Sequence, residues 1–322
     1  MKAIELTKYG APENLQMKEV EKPLPKENEI LIKIHATSVS SGDARMRRAD
    51  PFIIRLIFGF KRPRKSVLGV VVAGEIEATG KNVSNYKIGD QVFGSSGMSF
   101  GAHAEYVSVP EDAVLALKPT NMTYEEAAAI PFGGTASLHF LRIANIQPGQ
   151  KVLIYGASGA LGTMAVQLAR NYGAEITAVC STSNIELMKS LGADKVIDYT
   201  QEDFTQNGKF YDRILDVKTD RSVFDYRRAL SSNGIYVTVG GNSARILQLV
   251  LLGSLMSMTG SKQLSLIMHK PNRDLNILKE LFESGKMKPV VDRCFALNAT
   301  AEAFQYFGAG HFKGKVVISI VT

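Results

Sequence analysis

The sequence has few of the residues that build a disulfide framework or a cysteine-based metal site. Among its 322 residues there are two cysteines, Cys180 and Cys294, which lie far apart and in no Cys-x-x-Cys or Cys/His cluster. This scarcity argues against both a disulfide-rich fold and a structural zinc site. Reduced thiols in a reducing compartment are therefore expected.

Long hydrophobic runs are also absent. The longest apolar stretch, ILQLVLLGSLMSM, covers residues 246–258 and contains Gln, Gly and Ser. A helix that crosses a bilayer needs about 20 apolar residues, so this stretch predicts a buried or interface helix. The N-terminal segment MKAIELTKYG has no apolar core like that of a signal peptide. It predicts a first β-strand and a cytoplasmic protein.

The composition shows none of the biases of disordered or fibrous proteins. Hydrophobic residues make up 45% and charged residues 21%, so about two domains with a large core are expected. The net charge is +7, but the segment 45–65 holds eight basic residues against Asp50 alone and accounts for all of it. Because the rest of the chain is neutral, the charge gives little support to specific nucleic-acid binding.

Two regions of the chain differ in their residue patterns. Residues 1 to about 123 contain short alternating or β-branched runs between Gly-rich turns, which predict an antiparallel, barrel-like sheet. From about 124, strands alternate with helices, which predicts βαβ units and a parallel sheet. The tail after 268 returns to a strand, a helix and a strand, as if the chain re-entered its first domain. The strands expected in the parallel sheet are 151–155, 175–180, 195–198, 212–217, 234–240 and 263–268.

The most informative motif is KVLIYGASGALGTMAVQLAR. An apolar strand ends at Tyr155, a Gly-rich turn follows, and a helix opens a few residues later, which is the context of the dinucleotide fingerprint. Gly159 would let the backbone approach a pyrophosphate, and Gly162 would let the helix pack on the sheet. Ala157, preceded by Gly156, stands where the first Gly is usual. The alternative is a tight turn without a ligand.

Two other kinds of site use a similar strand-to-helix turn. GASGA resembles the nucleophile elbow of hydrolases, but Ala160 stands where that motif needs its last Gly. A P-loop would carry a Lys after the turn, and none is present. The sequence therefore disfavours a hydrolase and excludes a P-loop nucleotidase.

The end of the second parallel strand bears on the choice of cofactor. NAD enzymes place an acid there for the ribose 2′-hydroxyl, whereas here no acid occurs before Glu186. Ser181 and Asn184 could instead donate hydrogen bonds to a 2′-phosphate, so the sequence favours NADPH. The alternative is that Ser183 or Asn184 only caps the next helix.

Motifs along essentially the whole chain occur in a specific order: ENEILIKIHATSVSSGDARMRR, VLGVVVAGEI, NYKIGDQVFG, GAHAEYVSVPE, AAAIPFGGTAS, GASGALGTMAVQLAR, LGADKVIDY and GKVVISI. In them the chain resembles the zinc-independent, ζ-crystallin-like quinone oxidoreductases and enone reductases of the medium-chain dehydrogenase/reductase family. The resemblance implies an α/β fold. A central Rossmann doubly wound parallel sheet would span 124–268, and 1–123 plus 269–322 would form a GroES-like β-barrel catalytic domain. It also implies a homodimer that pairs edge strands of the Rossmann sheets.

The metal positions of zinc-dependent relatives are substituted. SSGD puts Ser40 where they have a Cys, and Val70 and Val71 follow Gly69 where they have a GHE motif. Pro131 stands where a third Cys would fall, and the four-Cys structural lobe is absent. None of these residues is a strong zinc ligand, so the comparison implies a zinc-free protein.

The chemistry that remains is hydride transfer to the electron-poor carbon of a small quinone or enone. Ser40 and Ser41 are candidate hydrogen-bond donors to the developing enolate oxygen, or else simple turn residues, and Asp43 is expected to anchor their loop. The resemblance implies three groups of cofactor contacts: Thr135, Gly240 and Gly241 at the nicotinamide, Gly156, Ser158, Gly159, Ala160, Leu161 and Gly162 at the pyrophosphate, and Ser181, Asn184 and Tyr199 at the 2′-phosphate.

Two features leave alternatives open. Arg45 and Val71 depart from residues that relatives carry near the substrate, which permits a rival function: an NADPH-binding sensor or interaction protein with little catalysis. The segment 45–65 interleaves its cations with Phe, Ile and Leu. This mixture suits a lid over an apolar substrate, a contact with a membrane surface, or a solvated basic face.

Overall fold

The computed structural model describes residues 1–258, 261–267 and 274–320. Within these ranges the chain forms two compact units. The first comprises 1–132, 274–283 and 289–320, and the second comprises 133–258, 261–267 and 284–288.

The described strands, in chain order, are β1 (Lys2–Leu6), β2 (Leu15–Glu19), β3 (Glu29–Ser38), β4 (Val71–Thr79), β5 (Gln91–Ser95), β6 (Tyr106–Pro110), β7 (Val114–Leu117), β8 (Lys151–Tyr155), β9 (Glu175–Cys180), β10 (Lys195–Asp198), β11 (Tyr211–Asp216), β12 (Leu230–Thr238), β13 (Gln263–Leu266), β14 (Val291–Ala296) and β15 (Lys315–Ser319). The described α-helices are α1 (Ser41–Arg48), α2 (Ile53–Phe58), α3 (Tyr124–Ala129), α4 (Pro131–Ile143), α5 (Ala160–Asn171), α6 (Ile185–Ser190), α7 (Val223–Ala229), α8 (Ser243–Met258), α9 (Leu275–Glu283) and α10 (Thr300–Ala309).

The second unit is built on a six-stranded parallel sheet. Its order, β10-β9-β8-β11-β12-β13, is the order 3-2-1-4-5-6 of a doubly wound fold. The predicted strands 151–155, 175–180 and 195–198 are confirmed residue for residue. The strand predicted at 234–240 begins earlier, because Leu230 already pairs with Tyr211. Of the strand predicted at 263–268, residues 263–266 are confirmed and Met268 lies outside the described residues.

The first unit contains a larger, mainly antiparallel sheet. The ten-residue strand β3 lies at its centre and pairs with β4, β6 and β15. The strands β14 and β15 come from the end of the chain, so the predicted return of the tail to the first sheet is confirmed. Alternate residues of β3, including Ile30, Ile32 and Ile34, are fully buried in the core of this unit.

Helix α3 belongs to the first unit, although it follows residue 123. Its start is fixed by a capping box between Thr123 and Glu126. The Ser38 hydroxyl on β3 donates a hydrogen bond of 3.0 Å to the Ala128 carbonyl. The first compact unit therefore continues past 123 to residue 132. The assignment of catalytic and cofactor-binding roles with divisions at 123 and 268 stays a prediction.

The short stretch 284–288 packs with the second unit, although the sequence assigns the whole tail to the first domain. The cause is the Gln167 side chain on α5. Its amide oxygen accepts a hydrogen bond of 2.8 Å from the Lys288 N–H, and its amide nitrogen donates one of 3.0 Å to the Lys288 carbonyl.

The apolar run 246–258 forms most of α8. Leu249 and Met256 are buried in the core of the second unit, whereas Leu247, Val250 and Leu251 are 55–66% exposed. No helix in the described ranges is long and apolar enough to cross a membrane.

Candidate active site

The turn between β8 and α5 closes tightly at its glycines. Gly156 has φ +81°, a conformation that favours glycine. A Cβ at Gly162 would lie 2.4 Å from the Gly156 carbonyl oxygen and 2.5 Å from the Ala157 Cα. A Cβ at Gly159 would have no heavy atom closer than 3.9 Å. The loop is therefore packed against its own helix on one side and open at Gly159 on the other.

The first turn of α5 faces this opening without a side-chain cap. Gly159 is the N-cap residue, and no side chain of the cap position accepts a hydrogen bond there. The predicted contacts Ala160, Leu161 and Gly162 are the first three residues of this helix, whose N–H groups have no acceptor within the helix. Ser158 precedes them in the turn. Free amides and the positive end of the helix dipole make this a site for an anion.

Helix α4 supports the loop from the side. The Ser137 hydroxyl donates a shared hydrogen bond to the carbonyl oxygens of Gly133 (2.7 Å) and Leu161 (2.8 Å). A Cβ at Gly133 would lie 2.6 Å from the Ala160 carbonyl oxygen, so α4 approaches α5 at backbone distance. Thr135 is buried on α4. It lies between these two positions in sequence and hence on the opposite face of the helix.

A buried network joins the ends of β11 and β12. The Asp216 carboxylate accepts hydrogen bonds of 2.8 Å from the N–H groups of Lys218 and Thr219 and from the Tyr236 hydroxyl. Burial raises the pKa of Asp216, and these donors oppose the rise. The Thr219 hydroxyl lies 2.5 Å from that of Thr238. The network fixes the turn after β11.

The same network positions Gly240 and Gly241. The Thr219 hydroxyl donates to the Gly240 carbonyl over 3.0 Å. A Cβ at Gly241 would lie 1.9 Å from the Lys218 carbonyl oxygen, so the turns after β11 and β12 touch at backbone distance. Both turns lie at the carboxyl edge of the sheet, where doubly wound folds bind their ligands.

The end of β9 carries the polar residues that the sequence assigns to a 2′-phosphate. The Asn184 amide nitrogen donates to the Ser181 hydroxyl over 3.0 Å, and its buried Oδ1 atom has no hydrogen-bond partner. Tyr199 lies beside them, half exposed, with its N–H on the Cys180 carbonyl. Asp198 adds a carboxylate to this edge. Hydrogen bonds from Thr182 and Thr200 hold the pKa of that carboxylate below its usual range.

In the first unit, Ser40 and Asp43 form a capping box at the start of α1. The Ser40 hydroxyl donates to the Asp43 carboxylate over 2.6 Å and accepts from the Asp43 N–H over 3.2 Å. The same carboxylate accepts from the Ser40 N–H over 2.9 Å. A hydroxyl has one proton, so that of Ser40 is committed to Asp43. Ser41, the first residue of α1, is exposed, and its hydroxyl remains available as a donor.

Asp43 lies in a buried polar cluster that the sequence analysis missed. Both ring nitrogens of His103 are buried without a hydrogen bond of normal geometry, and the ring fills the space beside Gly69, where a Cβ would lie 2.6 Å from His103 Cδ2. Burial lowers the pKa of His103, and that of Lys315 to about 8, while the charge of Asp43 opposes both shifts. Asp43 thus supplies the counter-charge for a buried lysine.

The positions that correspond to zinc ligands in zinc-dependent relatives can be located in the structure. Ser40 is the N-cap of α1, and Gly69 is followed by Val70 and Val71. In the ranges that the structure describes, no group of three or more His, Cys, Asp or Glu side chains is arranged to hold a metal ion. That the protein works without zinc stays a prediction.

The residues present in the second unit fit a dinucleotide. A loop that only glycine permits and an uncapped helix start together form an anion cradle, with polar residues at the end of the neighbouring strand β9. On a doubly wound sheet this combination defines a dinucleotide-binding dehydrogenase or reductase.

Comparison with known proteins shows the family to which the chain belongs. The family model described as alcohol dehydrogenase GroES-like domain matches residues 26–119, and that described as zinc-binding dehydrogenase matches 191–318. A 2-methylene-furan-3-one reductase of Solanum lycopersicum is 33% identical over 99% of this chain and 79% of that protein. An NADPH-dependent alkenal/one oxidoreductase of Arabidopsis thaliana is 30% identical over 99% and 79%.

The solved structure of a quinone oxidoreductase from Coxiella burnetii matches with a TM-score of 0.88 and 27% identity, covering 100% of this chain and 99% of that one. The chain belongs to the medium-chain dehydrogenase/reductase family, in the group of quinone oxidoreductases and enone reductases, and is an oxidoreductase. The predicted Rossmann and GroES-like fold is confirmed.

Sequence reasoning found the glycine loop but not its supports. Asp216 carries a readable signal, because an acid directly follows the apolar pair Ile214 and Leu215 at the end of β11. Ser137, Thr219 and His103 carry no such signal, because each contacts a residue that is distant in the sequence. Leu161 lies 24 residues from Ser137, Thr238 lies 19 from Thr219, and Gly69 lies 34 from His103.

The buried Lys315 predicts a distinct pH dependence of stability. With a pKa of about 8 in the folded state against 10.5 for an ordinary lysine, the unfolded chain binds one more proton between these pH values. Stability from this group therefore rises with pH across that window, by about 3 kcal/mol at most. In urea unfolding, the stability of the parent relative to Lys315→Met should increase by about 2 to 3 kcal/mol from pH 7.5 to pH 10.

Lys286→Met serves as the control for this measurement, because Lys286 is exposed. Its stability relative to the parent should change little over the same range. A Lys315→Met difference that stays constant between the two pH values would show that the lysine is not desolvated in the folded protein.

Proposed function

We propose that the protein reduces quinones or α,β-unsaturated carbonyls, with NADPH as hydride donor and without zinc. The observation that carries this proposal is the glycine loop after β8, closed at Gly162, open at Gly159 and followed by an uncapped helix. When bound, NADPH supplies the hydride. The names of the relatives, which include reductases of enones and quinones, support the substrate class.

The proposal assigns the pyrophosphate to the loop and the first turn of α5. The N–H groups of Ala160, Leu161 and Gly162 point to the end of the helix where an anion is stabilised. Gly156 and Ser158 shape the turn beneath it. Gly240, Gly241 and Thr135 are proposed to line the nicotinamide side, and the Asp216 network keeps the two glycines in place.

The residues that follow β9 are the reason for proposing NADPH rather than NADH as the cofactor. No acid stands at Ser181–Asn184, and hydroxyl and amide groups are available there as donors. The carboxylate of Asp198, which lies at the end of the neighbouring strand β10, is held by hydrogen bonds from Thr182 and Thr200. Tyr199 completes this end. The printed name of one relative specifies NADPH.

At the substrate, we propose that the Ser41 hydroxyl donates a hydrogen bond to the oxygen on which negative charge develops. Ser40 and Asp43 hold the start of α1 that carries Ser41. Donors aimed at a developing oxyanion lower the barrier, because they gain strength as the charge forms.

We also propose that two copies associate through β13, the last strand of the described sheet. The Ile267 N–H bonds inward to the Thr238 carbonyl over 2.8 Å, so the Leu266 N–H points to the open edge. An open apolar edge tends to pair with another strand. A monomer at micromolar concentration in sedimentation velocity would contradict this. The cytoplasmic location stays a prediction, because named relatives include chloroplastic and mitochondrial proteins.

The proposed activity predicts oxidation of NADPH in the presence of small enones or quinones, unchanged by EDTA or 1,10-phenanthroline.

Gly159→Ala should weaken NADPH binding at least tenfold, because its methyl group enters the space assigned to the pyrophosphate. Ser41→Ala should lower kcat roughly tenfold with NADPH binding unchanged. Stopped-flow absorbance at 340 nm and a fluorescence titration of NADPH measure both quantities.

Gly308→Ala is the matched control for the loop variant, because a Cβ at Gly308 on α10 would likewise meet no close heavy atom: none lies within 4 Å of it. NADPH binding without turnover on any substrate of the panel would contradict the enzyme and favour a sensor or interaction protein. Loss of activity on chelation would contradict the zinc-free mechanism.

The cofactor preference predicts the effect of one substitution. Ser181→Asp places an acid at the end of β9, where it would repel a 2′-phosphate and accept a hydrogen bond from a 2′-hydroxyl. The KM for NADPH should rise about tenfold while that for NADH falls. Ser190→Asp adds the same charge at an exposed position of α6 and should change neither KM. Equal KM changes for the two cofactors in Ser181→Asp would place the 2′ end elsewhere.

A further inference from the structure

A surface patch of mixed apolar and basic character covers the region of α2. We call it the basic-apolar patch. Its six apolar side chains are 51–68% exposed, and its six cations are exposed around them. The apolar members are Phe52, Ile53, Leu56, Ile57, Phe60 and Met98, and the cationic members are Arg45, Arg48, Lys61, Arg62, Arg64 and Lys65.

The apolar members of the patch do not contribute to the core of the first unit. Helix α2 packs Ile54 and Phe58 against the core of the first unit. With these two facing inward, Ile53, Leu56 and Ile57 lie on the outer side, where they are 51–62% exposed. A helix that only covers a core carries polar residues on its outer side, and here that side is apolar. A cluster of exposed apolar side chains of this kind marks an interaction surface.

Contacts within the first unit hold the backbone of the patch in place. The Tyr9 hydroxyl donates to the Gly59 carbonyl over 2.9 Å, and the Arg64 N–H donates to the Phe58 carbonyl over 2.7 Å. The Arg55 guanidinium donates to the Phe60 carbonyl over 3.1 Å and stacks over the Tyr9 ring. A partner would therefore meet a preformed surface and would not have to order it.

Among the described residues, three of the cations in the patch are not held in ion pairs, although the charge of Arg62 contributes to the lowered pKa of Glu5. Lys61, Arg62 and Arg64 form no ion pair in the described part of the chain. Lys65 donates to the Met98 carbonyl over 3.1 Å, which joins the loop to the last apolar member of the patch. The single acid of segment 45–65 is Asp50. The partner must therefore supply negative charge beside an apolar phase.

We propose that the basic-apolar patch docks the protein on the surface of an anionic phospholipid bilayer. Apolar side chains that project beyond a ring of cations can enter the headgroup and acyl boundary while the cations meet the phosphates. No membrane-spanning segment is needed for this contact. The inference is independent of the reaction catalysed.

Two other partners fit less well. A second copy of the same patch in a two-fold dimer would bring like charges face to face, which is repulsive. A nucleic acid would satisfy the cations but would leave Ile53, Leu56 and Ile57 against a polar backbone. A bilayer surface satisfies both the charge and the apolar side chains.

Co-sedimentation with vesicles tests the proposal on the full chain. With phosphatidylcholine and phosphatidylserine in a ratio of about 7 to 3, the protein should sediment with the vesicles at low salt. Binding to pure phosphatidylcholine should be at least tenfold weaker. Binding should fall steeply at about 0.5 M NaCl, because screening shortens the range of the charges.

Two patch variants separate the contributions of charge and apolar area. Lys61→Gln/Arg62→Gln/Arg64→Gln should weaken binding to anionic vesicles roughly 100-fold. Leu56→Ser/Ile57→Ser should weaken it at least tenfold. The matched controls remove exposed residues elsewhere: Lys151→Gln/Lys209→Gln/Lys286→Gln removes the same charge, and Leu24→Ser/Ile88→Ser removes side chains that are 83% and 66% exposed.

The proposal is overturned if the parent protein does not bind anionic vesicles at low salt, or if the controls lose as much binding as the patch variants. It is also overturned if the patch variants keep full vesicle binding but dissociate an oligomer in sedimentation velocity, since the patch would then join two copies. Circular dichroism verifies that each variant is folded. If the apolar variant is not folded, the charge variant alone decides the outcome.

Discussion

The contact between Gly162 and the backbone of the preceding turn is the constraint on which the cofactor site depends. A single methyl group at this position would lie 2.4 Å from the Gly156 carbonyl oxygen. This closeness lets α5 begin directly above the end of β8, so that its free amides gather around one opening. Gly133 likewise lets α4 approach the backbone of α5, and the Ser137 hydroxyl on α4 bonds to the Leu161 carbonyl. The site is therefore a property of backbone packing rather than of charged side chains.

The sequence predicted the elements that depend on local pattern. The strands β8, β9 and β10 match the predicted ranges residue for residue, because each is an apolar run bounded by turn residues. The alternation of strands and helices predicted the parallel sheet, whereas its doubly wound order was implied by the family resemblance. The glycine loop was equally readable, since its spacing and its position between a strand and a helix are both local features.

The parts that the sequence did not reveal depend on contacts between distant residues. Nothing near Thr123 indicates that α3 will pack on β3 through Ser38, 90 residues away from Ala128. The hydroxyl proton of Ser40 is used by Asp43, which turns a candidate donor into a helix cap. The environment of Lys315 arises in the same way, because its counter-charge Asp43 comes from the other end of the chain. Periodicity carries no information about such pairs.

The central claim is that a dinucleotide sits at the first turn of α5, and hydrogen exchange of the amides at 160–162 tests it most directly. These amides have no acceptor within the helix, so they exchange quickly in the free protein. At an NADPH concentration just sufficient to occupy the parent protein, exchange of these amides should slow in the parent and slow much less in Gly159→Ala, whose affinity for NADPH is expected to be at least tenfold lower. If NADPH slows exchange elsewhere in the chain while 160–162 keep the rate of the free protein, the claim is contradicted.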